Sequence, residues 1–263
     1  MKALALSFDG VLSDSAPEAY VAALRTYGEL KPHSSLEVSL DRLGGEGQLT
    51  RERVQADPRY AAFVEHLPLG SRAGDLGLTL SILERGLTVR DQVAYDRLRK
   101  DEPATFLWDF HRRFYEVRGE LSTSEPEGWR ALFAAHPGLP DLLRRRASDR
   151  ALAILTERNR RSVGLLLRDY GVEDLFPDER IMASETGPTP VARLRSLQKE
   201  LRIASTHITF VDSGVRQLDA VFHLGVKCVL ATWGHNGPRE QDHALERGFR
   251  LCSLEDAEAQ LFD

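Results

Sequence analysis

The segment Ser7-Phe8-Asp9-Gly10 follows the apolar run 3–6 and places a hydroxyl, a carboxylate and a turn-forming glycine at the end of a predicted strand. A carboxylate at such a position can serve as a general acid and base. A serine hydroxyl is a weak nucleophile unless an adjacent base activates it. Ser7 and Asp9 are therefore candidate active-site residues.

Polar residues also follow the later apolar segments of the chain. They are Thr156, the segment 187–190, Asp212, Ser213 and the segment 233–236. In an open parallel α/β sheet, ligands bind beyond the carboxyl ends of the strands, where the strand order changes direction. We therefore expect these residues to share one edge of the sheet with Ser7 and Asp9.

The elements that must position these residues alternate between strand and helix. The predicted strands span residues 2–8, 151–155, 181–182, 208–211, 226–231 and 249–252, and the predicted helices span 159–170, 190–201, 215–224 and 240–247, with a final helix after the last strand. This alternation is typical of parallel βαβ units, and strands this continuously apolar are buried on both faces. The fold class is therefore α/β.

Residues 16–125 differ from the rest because they show helical periodicity without convincing strands. We interpret this stretch as a helical domain inserted after the first strand. Residues 1–15 and 126–263 then form the α/β core domain. The aromatic segment 106–115 (FLWDFHRRFY) is expected to pack in the core of the helical domain, and a dimer or ligand contact is the alternative.

Composition excludes several classes of function. The 263 residues are 42% hydrophobic and 29% charged, with a net charge of −5, so no electrostatic attraction to nucleic acid or an anionic membrane is expected. Cys228 and Cys252 lack the spacing of a metal site, which fits a reduced cytoplasmic compartment. The N-terminal apolar run is too short for a signal peptide, and none reaches the roughly 20 residues of a membrane helix.

Four segments together resemble the motifs of the haloacid dehalogenase (HAD) superfamily of phosphatases and phosphotransferases. They are FDGVLSDS, AILTERNRRSV, GPTP and FVDSGVRQLDAVFHLGVKCVLATWG. The resemblance implies a Rossmann-like three-layer core with a parallel sheet and a helical C1 cap. It also implies Mg²⁺-dependent phosphoryl transfer through an aspartyl phosphate, in which the metal and a lysine offset the charge of the phosphate and the carboxylates.

Three residues match the residues that the resemblance implies. Asp9 matches the acid/base that protonates the leaving group and then activates water. Gly10 matches the turn glycine of the first motif. Thr156 matches the hydroxyl that holds phosphoryl oxygens.

Other positions depart from the pattern. Ser7 replaces the nucleophilic aspartate, Thr189 replaces the lysine that would bind phosphate, and Ser213 replaces the metal-binding aspartate. Gln217 stands at the second acid of the fourth motif, and Asp212 falls where many members carry glycine. Mg²⁺ sites usually need one or two carboxylates. The combined losses predict a pseudoenzyme that has lost phosphoryl transfer and needs no cofactor.

We expect such a protein to retain at most binding of a small phosphorylated or anionic ligand between cap and core, or of a protein partner. The alternative is a weak or altered Mg²⁺-dependent phosphoester hydrolase that uses Asp9 and Asp212, because a one-residue shift would place Asp212 at the metal position. A second alternative is a serine nucleophile at Ser7 assisted by His235.

Overall fold

The computed structural model describes residues 1–44, 49–70 and 72–262. The chain divides into two compact units, Met1–Asp14 with Ala134–Asp263, and Ser15–Phe133. The helical unit ends at Phe133, later than the predicted end at residue 125. The reason is that residues 126–131 form a helix of the second unit, in which the buried Trp129 donates from its indole Nε1 to Glu18 over 3.4 Å.

The first unit contains the strands of the described chain. They are β1 (Ala3–Ser7), β2 (Ser13–Asp14), β3 (Ala134–Ala135), β4 (Ala151–Leu155), β5 (Ile181–Met182), β6 (Ile208–Asp212), β7 (Lys227–Ala231) and β8 (Arg250–Cys252). Six of them form one parallel sheet in the order β5-β4-β1-β6-β7-β8. β4 and β5 lie on one side of β1, and β6, β7 and β8 lie on the other. The strand order therefore changes direction at β1.

The predicted strands of the core are confirmed, with ends that differ by at most one residue. The apolar residues of β1, β4 and β6 are buried, as continuous runs in a parallel sheet require. The antiparallel pair β2–β3 was not predicted. Two-residue strands carry too few positions to show an alternating pattern.

The second unit is helical throughout its described part. Its helices are α1 (Ala16–Leu30), α2 (Glu37–Gly44), α3 (Arg51–Gln55), α4 (Tyr60–His66), α5 (Ala73–Glu84), α6 (Gln92–Asp101), α7 (Ala104–Ser124) and α8 (Pro126–Ala131). A Cβ atom at Gly74 would lie 2.6 Å from the backbone oxygen of Leu107, and one at Gly77 would lie 2.7 Å from the Phe110 ring. These glycines therefore permit the close approach of α5 and α7.

The aromatic segment on α7 is divided between core and surface. Phe110 and Phe114 are buried, as expected for core packing. Trp108 is 69% exposed and stacks on His111 with 6.3 Å between ring centroids. Core packing accounts for the phenylalanines but not for this tryptophan.

Six further helices flank the sheet in the described part of the first unit. They are α9 (Leu139–Arg145), α10 (Arg160–Asp169), α11 (Pro190–Leu201), α12 (Val215–Phe222), α13 (Pro238–Glu246) and α14 (Ala257–Phe262). The apolar faces of α11, α12 and α13 join the sheet in a core that includes Leu194, Leu218 and Ala244. No helix of the described residues is long and apolar enough to span a membrane.

Candidate active site

The carboxyl ends of the three central strands bring Ser7, Thr156 and Asp212 to one edge of the sheet. Ser7 pairs with Leu155 in the register of β1 and β4, so that Thr156 follows directly. Leu6 pairs with Val211 in the register of β1 and β6, so Asp212 lies level with Ser7. The structure thus assembles the edge that the strand order predicts.

The turn after β1 positions Asp9 above this edge. Gly10 has a φ of 75°, a left-handed conformation that favours glycine. The backbone N–H of Gly10 donates to the Ser13 oxygen over 2.7 Å, and the N–H of Ser13 donates to the Phe8 oxygen over 2.9 Å. These bonds fix a tight turn and hold the Asp9 side chain at the site.

Asp9 forms an ion pair with Arg158. The guanidinium Nε of Arg158 donates to Asp9 Oδ1 over 2.7 Å. The Arg158 side chain is 1% exposed and the Asp9 side chain 37% exposed. The backbone N–H of Arg158 donates to Thr156 Oγ1 over 3.1 Å, which ties the arginine to the end of β4. The candidate acid/base is therefore engaged by a buried cation.

A second buried arginine, Arg193, lies on α11 and pairs with the chain neighbour of Arg158. Its Nη1 donates to the backbone oxygen of Gly187 over 2.9 Å, and its Nη2 lies 3.6 Å from Glu157 Oε1. Only 4% of its side chain is exposed. Glu157 is adjacent to Arg158 in the chain, so both guanidinium groups lie on the β4 side of the edge.

Sequence reasoning missed both arginines. Arg158 belongs to the run ERNRR, where nothing in the residue types separates a buried arginine from its neighbours. One available signal was its place two residues after Thr156, in the loop at the predicted ligand-binding edge. For Arg193 the signal was its position one helical turn after Thr189, on the same face of α11.

Asp212 is buried, and its carboxyl group is held by local hydrogen bonds. Its Oδ1 accepts from the backbone N–H of Gly214 over 2.7 Å, and the Ser7 hydroxyl donates to the same carboxyl group. Burial raises the pKa of Asp212 to about 7, these hydrogen bonds oppose the shift, and the charges of Glu157 and Asp9 add to it. The Ser7 hydroxyl is therefore committed to a carboxyl group that titrates near neutrality.

Ser213 packs tightly between two glycines. A Cβ atom at Gly10 would clash with the Ser213 Oγ, and one at Gly234 would clash with the Ser213 Cβ and lie 2.6 Å from the Gly10 oxygen. Asn236 holds the same loops together, because its Nδ2 donates to the backbone oxygens of Ser213 and Ala231. Close packing explains why small residues occupy this corner.

Gly234→Ala should therefore lower the free energy of unfolding by about 1–3 kcal/mol, measured by urea denaturation. Adding Ser213→Gly should recover only part of the loss, because the contact with the Gly10 backbone remains. Gly164→Ala on α10 is the control, since a Cβ atom there meets nothing within 4 Å. It should be neutral or stabilise by up to about 1 kcal/mol. Equal effects of the two alanines would contradict the packing argument.

Thr189 and His235 have other partners than the sequence suggests. Thr189 Oγ1 accepts from the Ala192 N–H over 3.1 Å and caps α11, and Thr189 itself is exposed. His235 Nε2 lies 3.3 Å from Asp14 Oδ1. Among the described residues, the partner of His235 is Asp14 and no hydrogen bond joins it to Ser7. Gln217 is half-buried on α12.

The donors at the edge do not fit the Mg²⁺ ion that the resemblance implies. Among the described residues, no group of three or more His, Cys, Asp or Glu side chains is arranged to hold a metal. Asp9 is paired with Arg158, the neutral form of Asp212 is favoured by burial, and Ser7 and Ser213 offer hydroxyls. Mg²⁺ sites in proteins usually rely on ionised carboxylates.

Solved structures share the fold over almost the whole chain. A haloacid dehalogenase-like family hydrolase from Streptococcus pneumoniae is 13% identical with a TM-score of 0.60, covering 98% of this chain and 96% of its own. A predicted phosphoglycolate phosphatase from Haemophilus somnus is 15% identical with a TM-score of 0.57, covering 97% and 96%. A hydrolase from Pseudomonas syringae is 14% identical with a TM-score of 0.55, covering 96% and 94%.

This chain therefore has the HAD-like fold, with its six-stranded parallel sheet and Rossmann-like core. The expected fold class is confirmed. No protein-family model matches the sequence, and no curated protein matches it.

Proposed function

We propose that this protein is a HAD-fold pseudoenzyme, with the helical unit as its C1 cap, that binds a small anionic ligand without transferring its phosphoryl group. The observation that carries the proposal is the ion pair between Asp9 and Arg158. A general acid must deliver a proton to the leaving group and later accept one from water. A carboxylate held by a buried guanidinium is stabilised in its ionised form and points at the cation instead.

The hydroxyl at the nucleophile position supports the same conclusion. The Ser7 hydroxyl donates a hydrogen bond to Asp212, whose Oδ1 also accepts from the Gly214 N–H. A serine attacks phosphorus only when a base removes its proton in a productive geometry. A buried carboxyl group whose pKa is near 7 is ionised only in part at neutral pH, so it activates Ser7 weakly.

The proposal includes the absence of a Mg²⁺ cofactor. Among the described carboxylates of the edge, Asp9 is bound by Arg158, Asp212 accepts from the Gly214 N–H, and Glu157 pairs with Arg193. Calorimetric titration with Mg²⁺ is expected to give no binding heat at millimolar metal.

The buried free thiols Cys228 and Cys252 support a reduced cytoplasmic location.

The test of function is steady-state hydrolysis of an aryl phosphate and a panel of sugar phosphates with Mg²⁺. We expect no turnover above the background of the buffer. Turnover of about 1 s⁻¹ or more would overturn the proposal. Such turnover would favour the second candidate function, a hydrolase that uses Asp9 and Asp212, which the pKa of Asp212 near 7 supports. Asp212→Asn should then abolish the activity.

A further inference from the structure

The two buried arginines at the edge are paired with carboxylates that are much more exposed. Arg158 is 1% exposed against 37% for Asp9, and Arg193 is 4% exposed against 43% for Glu157. Glu157 and Arg158 are neighbours in the chain directly after Thr156, so the pairs belong to one region of the edge. Each pair thus joins a cation fixed in the interior to an anion that keeps access to water.

This arrangement supplies positive charge without a metal ion. In the pattern that the sequence resembles, three carboxylates are offset by Mg²⁺ and one lysine. Here the carboxylates of Asp9 and Glu157 are offset by two guanidinium groups. The cations that offset these two carboxylates are therefore side chains of the protein itself.

Because the carboxylates are more exposed than the arginines, the carboxylates are the partners that an incoming anion can replace. A buried guanidinium needs an anion at all times, because an unpaired buried charge is strongly destabilising. A carboxylate that is more than a third exposed can turn into solvent and regain hydration at little cost. An incoming anion with better geometry can therefore replace it on the arginine.

We propose that an oxoanion group of the ligand binds at this edge without metal, by replacing Asp9 on Arg158 and Glu157 on Arg193, with the displaced Asp9 turned into solvent and away from the bound group. The planar guanidinium matches the paired oxygens of a phosphoryl, sulfate or carboxylate group. Thr156 lies beside Arg158, and because its oxygen accepts the Arg158 N–H, the hydroxyl keeps its own proton to donate. This inference rests on the proposed function, since the bound group is held and not transferred.

The test is calorimetric titration of the full chain in EDTA with inorganic phosphate, sulfate and acetate as separate probes. Phosphate is expected to bind, and the three probes distinguish a tetrahedral oxoanion from a carboxylate. Arg158→Gln and Arg193→Gln should each weaken binding by about 10-fold or more, as loss of a charge-assisted bidentate contact predicts. Arg161→Gln, on the exposed face of α10, is the matched control and should leave affinity unchanged.

Asp9→Asn keeps the test decisive if the arginine variants fail to fold. Asp9 is partly exposed, and asparagine removes the competing charge without changing the side-chain shape. If phosphate replaces Asp9 on Arg158, it should bind this variant several-fold more tightly than it binds the wild type. Unchanged or weaker binding, or no binding to either protein, would overturn the inference.

Two further measurements, phosphate binding with added Mg²⁺ and phosphate ester hydrolysis in Mg²⁺, distinguish failure of this inference from failure of the proposed function. Phosphate binding in EDTA together with ester hydrolysis in Mg²⁺ would overturn the proposed function and leave metal-free binding intact. Binding that appears only after Mg²⁺ is added would overturn this inference. Absence of both binding and hydrolysis would overturn this inference and leave standing only the part of the proposed function that concerns the loss of phosphoryl transfer.

Discussion

Restoring the three lost motif residues should not by itself restore phosphatase activity. The variant Ser7→Asp, Thr189→Lys and Ser213→Asp recovers the nucleophile, the cation and the metal-binding acid, but Arg158 still holds Asp9. Adding Arg158→Gln removes that cation and should raise kcat for aryl phosphate hydrolysis by about 10²–10⁴-fold, the usual contribution of general acid–base catalysis. The measurement is steady-state hydrolysis with Mg²⁺ for the triple and quadruple variants.

The control for this prediction adds Asp9→Asn to the quadruple variant, which should return the rate to background. Thr189→Lys also removes the cap of α11 at a cost of about 1 kcal/mol, so each variant is compared by urea denaturation first. A triple variant as active as the quadruple one would show that Arg158 does not restrain Asp9.

Asp212→Asn should change how stability depends on pH. Burial raises the pKa of Asp212 to about 7, against about 3.9 in the unfolded chain. Between these values the native state keeps a proton that the unfolded state has lost, so the contribution of Asp212 to stability falls as pH rises. Above pH 7 this contribution to the free energy of unfolding becomes constant, after a total loss on the order of 4 kcal/mol.

Asparagine does not ionise, and its amide oxygen can still accept from Gly214. The free energy of unfolding of Asp212→Asn relative to the wild type should therefore rise by on the order of 4 kcal/mol between pH 4 and pH 8. Urea denaturation across this range measures it. Asp242→Asn, an exposed aspartate on α13, serves as the control. A constant difference between Asp212→Asn and wild type would contradict the raised pKa.

The fold could be predicted from the sequence because its signals are local. The continuous apolar runs of β1, β4 and β6 and the helical spacing of α10 and α11 each lie within one segment. The antiparallel pair β2–β3 and the end of the helical unit could not be predicted. They depend on contacts between distant segments, such as that of Trp129 with Glu18.

The candidate site could be predicted only where strand ends define it. Ser7, Thr156 and Asp212 follow strands that the sequence reveals, so their common edge follows from the parallel order. The partners of Asp9 and Asp212 could not be predicted in this way. An arginine in a loop is most often exposed, and only the packed structure shows that Arg158 turns inwards onto Asp9.

The most direct measurement of the central claim is the ratio of phosphate ester hydrolysis by the wild type to that by Asp9→Asn, both assayed in millimolar Mg²⁺. If Arg158 withholds Asp9 from acid–base chemistry, the two proteins should differ by no more than assay error. A wild-type rate about 10²-fold or more above that of Asp9→Asn would mean that Asp9 works as a general acid and base, and would contradict the account.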